Sequence, residues 1–318
     1  MEEQSVEPEL IEQLKKLRAK YNAMGQDLSS YLDGLLYSDY LTYWDYIHLD
    51  TLLSLQTPKT HFPDEKVFII YHQITELYFR LILNELEQIS SKPDIDEKFF
   101  IERLDRAIMY FRNLENSFDI MIHGMEREQF MKFRMALLPA SGFQSAQYRL
   151  IEISSTDMIN LVNSSERETV SGADIPVMLD KIYWKSGATE LATGKKTLTL
   201  QQFEEKYMDD FYETAMRFRE TNLRQLYLKR FQSSPRRAEI VDRLRTYDHL
   251  ANVLWRLAHL KSSAHFLKRD PENVPATGGT NWQKYLPPRF QRIMFFPELW
   301  SDQEKAEWGK AAVINALK

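Results

Sequence analysis

Three stretches of this chain, residues 64–92, 195–234 and 236–270, contain neither glycine nor proline. Proline removes a backbone donor and clashes with the preceding helical turn, and glycine costs a helix interior about 1 kcal/mol, so helices normally stop at these residues. Long runs free of both predict long helices. Within 64–90, Val67, Phe68, Ile70, Tyr71, Ile74, Leu77, Tyr78, Leu81 and Leu86 recur at spacings of three and four. Ahead of them, Pro63, Asp64 and Glu65 supply a cap and an acidic first turn matched to the helix dipole. Residues 8–24, 96–121, 126–138, 198–232, 236–268 and 302–317 are patterned alike, and strand-like alternation is scarce. The reading is all-α: one helical-bundle domain over residues 1–318, with 164–197 as a loop or insertion between two helical halves.

Composition removes several function classes. With no cysteine, the chain has no disulfide, thiolate zinc site, iron–sulfur cluster, cysteine nucleophile or thiolate-ligated haem, so any metal must use His, Asp, Glu, Tyr or Met. The net charge of −5, from 41 basic and 46 acidic side chains, is spread along the chain and is no nucleic-acid footprint. No apolar run approaches the ~18 residues of a membrane span. The acidic start, Met1-Glu2-Glu3, lacks the basic and apolar regions of a secretory signal, and a cytoplasmic location is expected. Residues 187–197 lack the glycine spacing of a phosphate loop, and no Glu precedes a His by three, as a di-iron bundle requires. Asn163-Ser164-Ser165 is a glycosylation sequon by spelling only.

Four features stand out against a plain helical core. His72 sits mid-helix in an apolar run, with Phe68 one turn before and Glu76 one turn after. It is either a core histidine bonded to a neighbour or a partner for a ligand's polar hydrogen. Arg134 has Phe130, Leu137 and Leu138 around it, so its guanidinium leaves an apolar face. An ion pair, a snorkelling stem or a two-point grip on a carboxylate would each account for it. His259 shares a helix face with Trp255, Ser262, Ser263 and Phe266, where small residues between aromatics admit a flat cofactor, whereas His265 lies beside Lys261, Lys268 and Arg269 on a solvated face. Ala276-Thr277-Gly278-Gly279-Thr280 holds the only Gly-Gly pair, suited to a plain turn or to a loop that folds over a ligand.

Six blocks in order over residues 40–300 resemble the tryptophan 2,3-dioxygenase family. Tyr43-Trp44-Asp45-Tyr46-Ile47-His48-Leu49-Asp50 resembles its tyrosine-bearing signature, and Phe68-Ile69-Ile70-Tyr71-His72-Gln73 its distal-histidine helix. Phe133-Arg134, followed by Ser141-Gly142-Phe143-Gln144-Ser145 and Gln147-Tyr148-Arg149, resembles its most specific block. Trp255-Arg256-Leu257-Ala258-His259 resembles the proximal-histidine helix, Thr277-Gly278-Gly279 the substrate loop, and Phe295-Phe296-Pro297-Glu298-Leu299-Trp300 the C-terminal signature. The sequence departs from the family at Phe130, often a tyrosine, at Ala276, usually a glycine, and in a longer link over 268–275.

The resemblance implies a helical bundle that binds one haem b per subunit between its helices and assembles as a homotetramer. It implies oxidative opening of the indole C2–C3 bond of L-tryptophan by O2 to N-formylkynurenine, the first step of tryptophan catabolism by the kynurenine route. An oxygenase of the same fold acting on another aromatic amino acid or a modified tryptophan is the alternative. By family likeness His259 is the iron ligand, with Trp255 and Arg149 beside the haem, and His72 is the catalytic distal residue that meets the indole N–H. Phe68, Ile69, Ile70, Tyr71, Phe130, Arg134, Ser141 and Thr277 would line the substrate pocket. Arg134 would grip the carboxylate, and Tyr43 and Tyr46 would come from a neighbouring subunit.

Overall fold

The computed structural model describes residues 7–37, 42–137, 144–188, 196–267 and 291–310. These residues are all-α: among them no strand forms, and the only β pairing is an isolated antiparallel bridge between Val162 and Ile182. The chain divides into two compact units, residues 1–55 and 56–318.

The first unit holds α1 (Pro8–Ala23), α2 (Leu28–Tyr37), α3 (Tyr43–Tyr46) and α4 (Leu49–Ser54). Proline opens α1 where a backbone donor is not needed, and the Thr42 hydroxyl caps α3 by accepting from the Asp45 amide. Tyr43 and Tyr46 on α3 are both 71% exposed.

The second unit is built on α5 (Asp64–Ser91) and α6 (Glu97–His123), the long helices that the glycine- and proline-free pattern predicts. Asp96 caps α6 by accepting from the Phe99 amide at 2.8 Å. At α5 the expected cap does other work. Pro63 occupies the capping position without a side-chain bond, Asp64 accepts from the Glu126 amide at 2.6 Å, and Glu65 binds the preceding turn. The buried stripe of α5 runs through Tyr71, Thr75, Phe79, Ile82, Leu83, Leu86 and Ile89. Three apolar residues of the predicted pattern, Ile70, Leu77 and Leu81, instead form an exposed row, because α5 is apolar around most of its circumference.

After α7 (Arg127–Phe133) a single 3-10 turn, Arg134–Leu137, follows, and then α8 (Ala146–Ser155), capped by Ser145. The segment expected to be a loop, 164–197, is partly helical. Following α9 (Met158–Leu161), it contributes α10 (Ile175–Asp180) and a 3-10 turn, Tyr183–Ala188, whose Tyr183 and Trp184 are buried. These turns are too short to show periodicity in sequence. Next come α11 (Leu198–Phe218), α12 (Leu223–Leu226), α13 (Arg237–His249), α14 (Trp255–Leu267) and α15 (Asp302–Ala306). The stretch read as one helix over 236–268 is interrupted by a π turn at Leu250–Leu254. Helix α5 packs on α6 and α8, and α6 also receives α13 and α14. One apolar cluster fills the space between α5, α6, α8, α11 and α13. A second, around Tyr71, Phe118, Phe130, Phe133, Leu257 and Phe266, lies where α5, α6, α7 and α14 meet. No described helix is long and apolar enough to cross a membrane.

Candidate active site

The second cluster is where the sequence-marked residues converge. His72, one turn beyond Phe68 on α5, bonds through Nδ1 to the Phe68 carbonyl at 2.7 Å, and its ring lies 4.1 Å from that of Phe68. A carbonyl oxygen can only accept, so Nδ1 carries the proton and Nε2 presents a bare lone pair. Desolvation by the surrounding protein lowers the His72 pKa, against the Phe68 carbonyl and Glu76, which raise it. The neutral imidazole is therefore favoured near pH 7. Solvent still reaches the ring. Exposed to solvent yet packed against the rings of Phe68 and Tyr71, His72 lines one wall of a candidate cleft.

His259, on α14, is the second imidazole of the cluster. Burial, and to a lesser degree the proximity of His72, together depress its pKa to about 4. The rings between the two histidines are continuous. Tyr71 lies 5.7 Å from His72, Phe118 lies 5.6 Å from Tyr71, and His259 stacks on Phe118 at 5.9 Å. Trp255, one turn before His259, packs on Phe118 at 4.7 Å and edge-on to Phe79 at 5.6 Å. Phe130 closes the other side, 6.2 Å from Phe68 and 4.5 Å from Phe266. Arg134 follows Phe133 at the start of the 3-10 turn and is only 6% exposed, and desolvation lowers its pKa.

The sequence-marked residues do not all meet here. Ile69 shares the face of His72 one turn back, but Ile70 stands about 200° round the helix from His72 and is exposed. Tyr71 points into the α5–α6 seam, its hydroxyl accepting from Ser117 at 3.4 Å, and burial pushes its pKa up to about 12. Arg149 takes part in a buried ion pair. Its Nη1 donates to Glu152 at 2.8 Å and to the Tyr183 hydroxyl at 2.7 Å, and none of its described contacts reaches His72 or His259. Ser141, Thr277 and the Gly278-Gly279 pair lie outside the described residues. Tyr43 and Tyr46 belong to the first unit.

Sequence reasoning missed Phe118, Phe133 and Glu152. Phe118 was visible only as an apolar residue of a helical window, Phe133 only as the residue before Arg134 in the family-like block, and Glu152 only as one more acidic residue on α8.

The donor set bears on what the cleft can hold. Among the described residues there is no group of three or more His, Asp or Glu that could hold a metal ion. A lone neutral imidazole at His259, walled by flat rings, instead suits a metal that brings its remaining ligands in a planar macrocycle. The residues present fit a haem.

Fold and site together define a helical protein with a histidine-paired aromatic cleft beside a buried arginine. The chain belongs to the tryptophan 2,3-dioxygenase family, whose model matches residues 34–257. That match contains His72 and Arg134 and ends just short of His259. The chain is similar to the tryptophan 2,3-dioxygenase of Ruegeria sp. (strain TM1040), 40% identical over 119 residues, which are 36% of this chain and 42% of that protein. It is 39% identical over 117 residues to that of Bradyrhizobium diazoefficiens, again 42% of that protein. These alignments span less than half of either relative. Similarity to the Anaeromyxobacter dehalogenans (strain 2CP-C) tryptophan 2,3-dioxygenase is lower, 27% over 274 residues, but covers 85% of this chain and 97% of that one.

Proposed function

We propose that this chain is a haem-dependent dioxygenase that opens the indole C2–C3 bond of L-tryptophan with O2 to give N-formylkynurenine. The observation that carries the reading is the tautomer of His72. With Nδ1 fixed on the Phe68 carbonyl, Nε2 is an acceptor held at the cleft wall, the partner that an indole N–H requires.

In this reading His259 holds haem b through its neutral imidazole, and the bound iron supplies O2 binding and activation. The chain's own residues then position the substrate. Phe68 packs against the indole, His72 Nε2 accepts from its N–H, and the Arg134 guanidinium grips the carboxylate at two points. Fixing the indole at both ends against its oxidant removes much of the entropic cost of a bimolecular step, at best about 7–11 kcal/mol. His72 serves as hydrogen-bond partner and proton holder at Nε2. Ser141 and Thr277 are assigned to the same pocket by family likeness, and a cytoplasmic setting is part of the proposal.

Assembly as a homotetramer, with Tyr43 and Tyr46 supplied to a neighbouring pocket, also belongs to this reading. The exposed row of Ile70 (39%), Leu77 (53%) and Leu81 (43%) on α5 supports it, since a contiguous apolar helix face is ordinarily covered.

The test is to reduce haem-loaded protein without oxygen, add L-tryptophan and air, and follow N-formylkynurenine. Product is expected, and a normal haem spectrum with no product overturns the assignment. His259→Ala is expected to lose haem while His265→Ala keeps it. N-methylation of the indole nitrogen should weaken binding to the wild type but change little in His72→Leu, where no acceptor remains.

A further inference from the structure

The helix that carries His259 is not a continuous α-helix. Between α13 and α14 the π turn Leu250–Leu254 widens one turn, and such turns concentrate at functional sites. Its consequence here is geometric. In a regular α-helix, eight residues overshoot two turns by about 80°, so Asp248 and Arg256 would not lie in line. Each residue of a π turn advances by a smaller angle, which takes up most of that overshoot.

Asp248, Asn252 and Arg256, each four residues from the next, form a ladder along one face of the helix that spans the π turn. Asn252 Nδ2 donates to Asp248 Oδ1 at 2.8 Å, and Arg256 Nη2 donates to Asn252 Oδ1 at 2.9 Å. The ladder is buried, with Asp248 0%, Asn252 1% and Arg256 8% exposed. Both ends are anchored. Asp248 accepts from the amides of Phe295 and Phe296 and from Trp300 Nε1, at 3.0, 3.3 and 2.9 Å. Arg256 reaches Glu152 at 3.0 Å and the Tyr183 hydroxyl at 2.8 Å, and also bonds Gln291. A second observation concerns the turn itself. The carbonyl of Ala251 within it accepts from the Tyr148 hydroxyl of α8 at 2.9 Å, so the widened backbone has a dedicated outside partner.

His259 lies one turn past Arg256, the last rung. We propose that the Asp248–Asn252–Arg256 ladder, with the π turn it spans, sets the rotation of α14 and so aims the His259 imidazole, making Asn252 and Tyr148 positioning residues for the iron ligand. The inference rests on the reading of His259 as that ligand and adds what orients it. An amide in the middle rung suits the task, because it accepts from the guanidinium and donates to the carboxylate at once. Leucine at position 252 removes one bond from each, and phenylalanine at 148 removes the bond to the π turn together with the hydroxyl's bond to Arg256.

The experiment uses full-length, haem-loaded ferrous protein of the wild type, Asn252→Leu, Tyr148→Phe and Asp242→Asn, the last an exposed change on the same helix. Resonance Raman gives the iron–imidazole stretching band, transfer of haem to apomyoglobin gives the dissociation rate, and thermal melts report folding. Asn252→Leu and Tyr148→Phe are expected to shift or broaden the band and to speed haem loss at least several-fold, with cooperative melts retained, while Asp242→Asn matches the wild type. Should Asn252→Leu fail to fold, Tyr148→Phe decides. A wild-type band and dissociation rate in the folded variants overturn the inference and leave the proposed function standing. A wild type that takes up no haem, or a His259→Ala variant that keeps it, defeats the proposed function and the inference with it.

Discussion

Phe118 lies stacked on the imidazole of His259, with ring centroids 5.9 Å apart and planes inclined by 17°. The same ring packs against Tyr71, beside His72 on α5, and against Trp255 on α14. One side chain of α6 thus spaces the helix of one histidine from the helix of the other. The cleft width depends on a ring rather than on a bond between the two imidazoles.

Replacing that ring tests the point. Phe118 is buried, and its three ring neighbours each carry about 0.5–1.5 kcal/mol beyond area burial. Phe118→Leu is expected to destabilise the protein by about 1–3 kcal/mol in urea denaturation and to loosen haem. Phe118→Tyr should retain both properties. Unchanged stability and haem retention in the leucine variant would show that the stack carries no weight.

Arg134 gives a kinetic prediction. Its planar fork grips a carboxylate at two points, whereas a lysine at the same place offers a point charge. Arg134→Lys is expected to raise KM for L-tryptophan by roughly tenfold or more, a loss of about 1.4 kcal/mol or more, with haem content unchanged. A decarboxylated substrate, tryptamine, should not distinguish the two proteins. An equal penalty for tryptamine would remove Arg134 from carboxylate recognition.

How much of this was legible beforehand differs from residue to residue. His72, Arg134 and His259 could be singled out because each interrupts an apolar helical face, and the cleft brings their helices together. Phe118 could not, since a phenylalanine at helical spacing carries no sign that its neighbour will be an imidazole. The ion pair of Arg149 was illegible for a related reason. A basic residue in a family-like block suggests a ligand contact, but its carboxylate partner, Glu152, sits on the same helix, and Tyr183 comes from a segment without periodicity. The π turn left no trace, because one widened turn lacks a residue signature, and Asp248 and Asn252 read as ordinary polar positions until the ladder aligned them.

Glu65 supplies the pH dependence. Fully buried, it accepts from the amides of Lys59 and Thr60 at 2.6 and 2.7 Å and from the Thr60 hydroxyl at 2.5 Å. Burial raises its pKa, but these donors outweigh that effect and hold it below its ordinary 4.5. Stabilisation from a depressed carboxylate is fully present above 4.5 and is lost as pH falls through the lowered value. Glu65→Gln is expected to cost on the order of 1–3 kcal/mol at pH 7, the range for hydrogen bonds to a charged group. The gap between the two proteins should close in acid, as denaturation at a series of pH values can follow. A gap that stays constant into strong acid would mean that shape, not charge, sets the contribution.

Glu152 makes the sharpest stability test, because two buried guanidiniums share its carboxylate. Arg149 reaches one of its oxygens at 2.8 Å and Arg256 the other at 3.0 Å, and Glu152 itself is 0% exposed. Removing a buried charge that pairs others typically costs about 3–5 kcal/mol, mostly because the partners stay buried without compensation. Glu152→Gln should fall in that range by urea denaturation. The double variant Glu152→Gln/Arg256→Met also removes one of the stranded cations, so its cost should be well below the sum of the two single changes. Residues that share one network couple by about 0.5–3 kcal/mol. Strict additivity would mean that Arg256 draws its stabilisation from partners other than Glu152, such as Asn252, Gln291 and Tyr183, and that the carboxylate serves Arg149 and Tyr183.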